Sequence, residues 1–137
     1  MIEIIRISTK GGTDFVNITG KVEKIIKKSG ISEGIVNVFA RHTTAGITLI
    51  ENEEGALQDF KEAFEKIAPV DANYHHNKIQ DDDNGSSHVQ GGLLGASICI
   101  PFKNEKLLLG TWQQVFLADF DTHSREREVV VSVMEGR

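Results

Sequence analysis

The residues best suited to chemistry lie in the segment Arg41–Thr48, which reads RHTTAGIT. An apolar run, Ile35–Phe39, ends here in an imidazole, two hydroxyls and a glycine, and the acidic cluster Glu51–Glu54 follows. Such a change from apolar to polar residues is typical of a strand end that opens into a site. A structural explanation stays open as well, because threonine suits a half-buried strand and a histidine is often an ordinary polar neighbour.

Histidines suggest a second part of the same site. His75, His76 and His88 lie in the polar segment Val70–Gly92, so that segment and His42 together hold four of the five histidines. Because imidazole binds divalent metals and titrates near neutrality, the segment could fold over His42 and form a metal site. The spacing matches no compact zinc motif, so exposed loop histidines are the alternative. The segment itself has the composition of a flexible loop.

Composition limits the class of protein. The chain has 137 residues, of which 39% are hydrophobic, so we expect one domain over residues 1–137. The net charge is −5, and no cluster of basic and aromatic residues indicates a nucleic-acid partner. No apolar run has membrane-spanning length, and the start does not resemble a signal peptide. We therefore expect a soluble, cytoplasmic protein with no membrane partner.

The single cysteine, Cys99, lies between Ile98 and Ile100 and has no partner for an internal disulfide. A small side chain between two β-branched apolar residues is typical of a core position. We therefore expect Cys99 to be buried and unreactive.

Hydrophobic periodicity places the elements that must position these residues. The first half predicts a strand at Ile2–Ile7, a helix from Asn17 to Gly30, strands at Ile35–Phe39 and Gly46–Ile50, and a helix from Asn52 to Pro69. The helix caps are predicted at Asn17 or Thr19 and at Asn52, and the inner face of the second helix at Leu57, Phe60, Phe64 and Ile67.

The second half reads as strands separated by turns. They are predicted at Ser97–Phe102, Leu107–Leu109, Trp112–Phe120 and Arg127–Val133, with Pro101 indicating an edge position or the end of its strand. Because Ile35–Phe39 is apolar on both faces apart from Asn37, it suits an interior strand that is covered on both sides. Two helices followed by a β-rich half predict an α+β protein with a largely antiparallel sheet.

Several separate motifs resemble the YjbQ-like family, some members of which are described as secondary thiamine-phosphate synthases. They are LLLGTWQQV at Leu107–Val115, HTTAGI from His42, Ser97, and Asn84-Gly85 ahead of His88. The resemblance covers essentially the whole chain and implies a bent β-sandwich-like core with two main helices. It also implies a trimer and a pocket that holds the histidines.

The resemblance implies metal ligands at His42, His76 and His88, with zinc or magnesium as the divalent metal ion. His75 is the alternative to His76. The chain departs from the family pattern at Ser86, where another histidine is common. Three neutral imidazoles leave a coordination position open for water or a substrate oxygen.

The remaining site residues come from the same motifs, apart from Arg125, which is a candidate cation for the leaving group. We expect catalytic roles for His42, His88, Thr43 and Arg125, and contacts to a small phosphorylated molecule from Thr44, Gly46, Trp112 and Gln113. Strand-end packing is the alternative for the threonines and the glycine, and a buried core position is the alternative for the tryptophan.

Two functions remain open. The first is a thiamine-phosphate synthase that joins an aminopyrimidine pyrophosphate to a thiazole phosphate, with a metal or one of Arg41, Arg125 and Arg127 stabilising the leaving group. The second is a trimeric metal- or small-ligand-binding protein without this activity.

Overall fold

The computed structural model describes residues 1–137 as eight strands and four helices. The strands are β1 (Ile2–Ser8), β2 (Asp14–Asn17), β3 (Glu33–Ala40), β4 (Ala45–Glu51), β5 (Ser97–Lys103), β6 (Lys106–Leu107), β7 (Gln113–Asp119) and β8 (Glu126–Glu135). The helices are α1 (Thr19–Ser29), α2 (Glu54–Ile67), α3 (His75–Gln80) and α4 (Gly85–Leu94). The α+β class predicted from the sequence is confirmed.

The strands form two antiparallel sheets. A five-stranded sheet has the order β1-β8-β3-β5-β6, and a three-stranded sheet has the order β2-β7-β4. Alternate residues of the central strands enter one cluster of 19 buried hydrophobic residues, for example Val36 and Val131 from the large sheet and Ile47 and Leu117 from the small one. The two sheets therefore face each other as a bent sandwich around a shared core.

Helix α1 closes one side of this core and matches its sequence signals. Val22, Ile25 and Ile26 are its buried apolar stripe. The Asn17 side chain accepts a hydrogen bond from the Thr19 N–H at 3.0 Å, so the predicted cap at Asn17 forms. Gly30 ends the helix in the left-handed region, with a φ of 73°, where glycine carries no steric cost.

Helix α2 packs through aromatic rings and not through a fully buried stripe. The rings of Phe15, Phe60, Phe64 and Phe120 form a row with centroids 4.7 to 5.3 Å apart.

Two predictions for α2 were wrong. The cap is Glu53 and not Asn52, because the Glu53 carboxylate accepts from the Ala56 N–H at 2.8 Å. Ile67 is 61% exposed, since it lies in the last turn, beyond the row of rings. No helix in the structure is long and apolar enough to cross a membrane.

The segment Val70–Gly92 is not the flexible loop that its composition predicted. It contains α3 and most of α4, and α4 buries small or polar residues where an ordinary helix has an apolar stripe. Ser87 Oγ donates to the Phe120 carbonyl at 2.6 Å, and Gln90 Nε2 donates to the carbonyls of Phe64 and Ala68. Hydrogen bonds to neighbouring backbone therefore fix the helix without a large apolar surface.

The prediction that Cys99 is buried was wrong. Cys99 is exposed on the outer face of the five-stranded sheet. In a strand successive side chains point to opposite faces, so the burial of Ile100 in the core turns Cys99 outward. Its sulfur accepts a hydrogen bond from Asn37 Nδ2 of the neighbouring strand at 3.2 Å. Pro101 is not on an edge strand, because β5 lies between β3 and β6, but β6 is short and pairs only with Phe102 and Lys103. Beside Pro101, the Leu108 N–H donates to the Pro101 carbonyl at 2.9 Å.

Candidate active site

The site lies where the chain passes twice between the two sheets. Residues 41–44 lead from β3 to β4, and residues 120–125 lead from β7 to β8. The two crossings are joined by a hydrogen bond from the Phe120 N–H to the Thr44 carbonyl at 3.0 Å. Helix α4 packs over the start of β4, so three segments that are distant in sequence meet at one end of the sandwich.

A buried ion pair holds this end together. Arg127 donates from Nε to Asp119 at 2.6 Å and from Nη2 to the other carboxylate oxygen at 2.7 Å. Both residues are almost completely buried, and the hydroxyls of Thr9 and Thr44 complete their hydrogen bonding. A bidentate, fully partnered pair of this kind fixes the positions of β7, β8 and the β3–β4 crossing relative to each other.

A second carboxylate, Asp121, extends the network towards α4. It accepts from Arg125 Nε at 3.1 Å, from Thr44 Oγ1 at 2.9 Å and from Asn84 Nδ2 at 3.5 Å. Burial alone would raise the pKa of Asp121, but the hydrogen bonds from Arg125 and Thr44 outweigh it and lower this pKa from 3.8 to about 2. Asp121 is therefore a permanent anion at physiological pH.

His42 is oriented by the backbone of β8. Its Nε2 accepts a hydrogen bond from the Glu128 N–H at 2.8 Å. Burial, followed by the positive charge of Arg127, lowers the pKa of His42 below its usual value of 6.5, so the ring is neutral at pH 7. A neutral imidazole that accepts at Nε2 carries its proton on Nδ1, which makes His42 a hydrogen-bond donor through that atom.

His88 and His76 form a ring pair beside this network. Their centroids are 4.2 Å apart, and His76 Nε2 lies 2.9 Å from the Oδ1 of Asn84. Because Asn84 directs its amide nitrogen at Asp121, its oxygen accepts, and His76 donates from Nε2. Burial, and then the neighbouring His76, lower the pKa of His88, whose own nitrogens have no hydrogen-bond partner in the chain.

One pocket brings His42 and His88 together. It has a volume of about 360 Å³, and its lining is His42, Thr43, Ala45, His88, Gly91, Gly92, Gly95 and Ala96. Three of the predicted catalytic residues, His42, His88 and Thr43, thus share a cavity large enough for a small molecule. The fourth, Arg125, is outside it and paired with Asp121.

The three histidines predicted as metal ligands do not form a ligand set within this chain. No group of three histidine, cysteine, aspartate or glutamate side chains is arranged to hold a metal ion. His76 and His88 adjoin, but the His42 Nε2 lone pair is used by Glu128 and its Nδ1 is protonated. A metal on all three would require His42 to give up this bond, so zinc or magnesium stays a prediction.

Thr44 and Gly46, predicted to contact a phosphate, have structural partners here. The Thr44 hydroxyl accepts from Arg127 and donates to Asp121. A Cβ at Gly46 would lie 2.5 Å from the Gly95 carbonyl oxygen, so this glycine permits the close packing of α4 on β4. Neither residue is among those that line the pocket.

Trp112 and Gln113, also predicted to contact the ligand, lie elsewhere in the chain. Gln113 pairs with Glu51 at the far end of β7, six residues from Asp119 and therefore about 20 Å along the strand. Trp112 is 70% exposed in the preceding turn, so it is neither in this pocket nor in the core.

Asp119, which organises the site together with Arg127, was not among the residues predicted from the sequence. A signal was present, because an aspartate within the apolar run Val115–Phe120 needs a buried partner. Arg127 shows the matching pattern, as a charged residue in phase with Val129 and Val131 on the core face of β8.

Comparisons with known proteins agree with the motifs. The family model described as UPF0047 protein YjbQ-like matches residues 3–136. A UPF0047 protein of Methanothermobacter thermautotrophicus is 42% identical over 125 residues, which cover 91% of this chain and 85% of that protein.

Solved structures show the same fold. A YbjQ-like protein of unknown function from Sulfolobus solfataricus is 33% identical, with a TM-score of 0.88 and 99% of both chains covered. A hypothetical protein from Aeropyrum pernix K1 is 28% identical, with a TM-score of 0.86, and the match covers 98% of this chain and 99% of that one. The similarity in sequence and fold thus extends over nearly the whole chain.

Proposed function

This chain belongs to the UPF0047, YjbQ-like family, and we propose that it binds a small phosphorylated molecule in the pocket lined by His42 and His88. The observation that carries this proposal is that two imidazoles with lowered pKa values line one cavity beside a buried arginine–carboxylate network. Groups whose pKa is shifted by burial and that share a cavity are typical of sites that bind or transform a ligand.

The reaction we propose is that of a thiamine-phosphate synthase. The carbon–oxygen bond between the aminopyrimidine and its pyrophosphate breaks, and the electron pair leaves with the pyrophosphate. The ring nitrogen of the thiazole phosphate then bonds to that carbon. The protein's tasks are to hold the two substrates together and to stabilise the charge on the leaving oxygen.

The donors for that charge are the groups at the β3–β4 crossing. His42 donates through Nδ1, Thr43 lines the pocket, and Arg41 is 56% exposed, with the Glu128 carboxylate 3.9 Å away. Arg125 and Arg127 are held by Asp121 and Asp119, so their role is to fix the walls and not to bind the substrate. His88 has free nitrogens and accepts a hydrogen bond or a proton from the ligand.

The pairing of these two arginines also favours a second candidate function. A synthase must bind two phosphorylated substrates, and Arg41 is the one arginine of the β3–β4 crossing that no buried carboxylate holds, which is little positive charge for two phosphorylated groups. The second candidate is therefore a protein that binds one small phosphorylated ligand in the same pocket without joining it to another.

Binding measurements test the site. We expect a thiazole phosphate and pyrophosphate to bind the wild type, and His88→Ala to weaken both about 10-fold or more. His123→Ala is the matched control, because His123 pairs with Asp83 on the surface and should stay within twofold of wild type. Equal affinities in the two variants would remove the pocket from the proposal.

The pH dependence of binding follows from the lowered pKa of His88. As the pH falls from 7 through the histidine range, His88 gains a positive charge, so the affinity for pyrophosphate should rise several-fold more in wild type than in His88→Ala. The ligand's own titration is common to both proteins, so this difference isolates His88. Growth of a thiamine-requiring strain on expression of the gene then separates the synthase from the binding protein.

A further inference from the structure

The wall of the pocket opposite the polar groups has almost no side chains. Five of its eight lining residues are glycine or alanine, namely Ala45, Gly91, Gly92, Gly95 and Ala96. Three of these glycines come from α4 or its C-cap, so a helix backbone forms a large part of the surface that a ligand would touch.

Most glycines around the pocket have a structural reason. A Cβ at Gly91 would lie 3.1 Å from the Ala45 nitrogen and from the Thr43 carbonyl oxygen, so Gly91 allows α4 to approach the β3–β4 crossing. Gly95 has a φ of 95°, which an L side chain rarely adopts.

Neither close packing nor a positive φ explains the glycine at position 92. It lies inside α4 without a positive φ, and a Cβ placed there would meet no atom within 4 Å. Glycine within a helix is unfavourable compared with alanine because it loses more backbone freedom on folding. The fold would therefore be more stable with a side chain at this position, and Gly92 is one of the residues that line the pocket.

The chemistry of the wall limits what can lie against it. Gly91 and Gly92 are beyond the first turn of α4, so their N–H groups are used in helix hydrogen bonds, and the Gly95 N–H donates to the Gly91 carbonyl. The part of the wall formed by these three glycines therefore offers no free N–H group to a phosphate. A smooth surface of Cα atoms and methyl groups suits the face of a flat, largely apolar ring.

We propose that Gly92 sets the width of a slot for a flat heteroaromatic ring of the substrate, while the phosphate stays outside this slot, near His42, Thr43 and Arg41. This inference rests on the proposed function and adds to it the place of the ring and the residue that selects it. Gly92 is thus a specificity-determining residue and not a catalytic one.

A size series at this position tests the slot with two probes, a thiazole phosphate that carries a ring and inorganic pyrophosphate that does not. Gly92→Ala should weaken binding of the thiazole phosphate about threefold to 10-fold and Gly92→Leu more than 30-fold, because the added atoms occupy the ring's space. Pyrophosphate should bind both variants within twofold of wild type. Both variants should melt a few degrees higher than wild type, which shows that the loss is not due to unfolding.

Gly20→Ala is the matched control. Gly20 lies in α1, outside this pocket, and a Cβ there also meets nothing within 4 Å, so both ligands should bind this variant as they bind wild type. Unchanged binding of the thiazole phosphate to Gly92→Leu would overturn the slot while the proposed function survives. Equally weakened binding of both probes would also overturn it, since the ring and the phosphate would then not occupy different parts of the pocket. A wild type that binds neither probe would overturn the proposed function and the slot together.

Discussion

Arg125 and Arg127 show how burial changes the contribution of an ion pair to the stability of the fold. The Arg127 side chain is 6% exposed and faces Asp119, whereas the Arg125 side chain is 41% exposed and reaches Asp121 from solvent. A buried pair adds little over a good apolar substitute, but removing one partner leaves an uncompensated charge in the core. Water can take the place of the partly exposed Arg125, and Asp121 keeps the hydrogen bond from the Thr44 hydroxyl, so this loss costs less.

Arg127→Met should therefore lower the free energy of unfolding by about 3 to 5 kcal/mol, and the matched control Arg125→Met by about 1 kcal/mol or less. Asp119 is completely buried, and it loses both charged hydrogen bonds in the first variant. Urea denaturation followed by circular dichroism measures both values. Equal losses in the two variants would mean that burial of the pair contributes nothing special to stability.

Site residues that directly follow a strand could be predicted from the sequence. Which distant segments meet at the site was harder to predict. His42 and Thr43 follow directly from an apolar strand, and the structure places both in the pocket. Trp112 and Gln113 belong to an equally distinct motif, yet they lie at the other end of β7 because strand length separates them from the site. A sequence motif indicates that residues matter together, but only the strand register decides where each one lies.

At the scale of whole elements, the least predictable one was α4. Its sequence has no apolar stripe, because its buried positions are Gly85, Ser86, Ser87, Gln90 and Gly91. Periodicity detects helices that bury apolar side chains, and α4 is instead fixed by short side chains that let it approach β4 and by hydrogen bonds to backbone. By contrast, α1 has an ordinary stripe and was predicted nearly to its ends.

Gln90 provides a test of whether side-chain hydrogen bonds to backbone hold α4 in place. Its Nε2 donates to the carbonyls of Phe64 and Ala68, which joins α4 to the end of α2. Gln90→Met keeps the size but removes both bonds, so we expect a loss of about 1 to 3 kcal/mol and faster amide hydrogen exchange near the end of α2.

Gln58→Met is the matched control for that change. The Gln58 amide bonds only to Glu62 on the exposed face of α2, so its loss should stay within about 0.5 kcal/mol. Exchange rates that do not differ between the two variants would show that packing alone holds α4 on the end of α2.

For the whole molecule, the outer face of the five-stranded sheet is the main unexplained surface. Ile35, Phe39 and Met134 are 47%, 40% and 50% exposed, and the register places them on neighbouring strands with Ile4. The sequence predicted that Ile35–Phe39 would be covered on both sides, but within one chain the core covers only one side. Contiguous exposed apolar residues of this kind mark an interaction surface.

We predict that copies of this chain cover that face as a homotrimer, which is the assembly that the resemblance to the YjbQ-like family implies. Phe39→Glu places a charge in the centre of the face and should shift the protein from trimer to monomer in sedimentation equilibrium at micromolar concentration. Ile79→Glu is the control, because Ile79 is 77% exposed on α3 and this change should leave the trimer intact.

Cys99 lies on the same outer face as Phe39, so a thiol reagent should label it slowly in wild type and rapidly in Phe39→Glu. A monomeric wild type with a rapidly labelled Cys99 would show that this face is open in solution and that the trimer prediction is wrong.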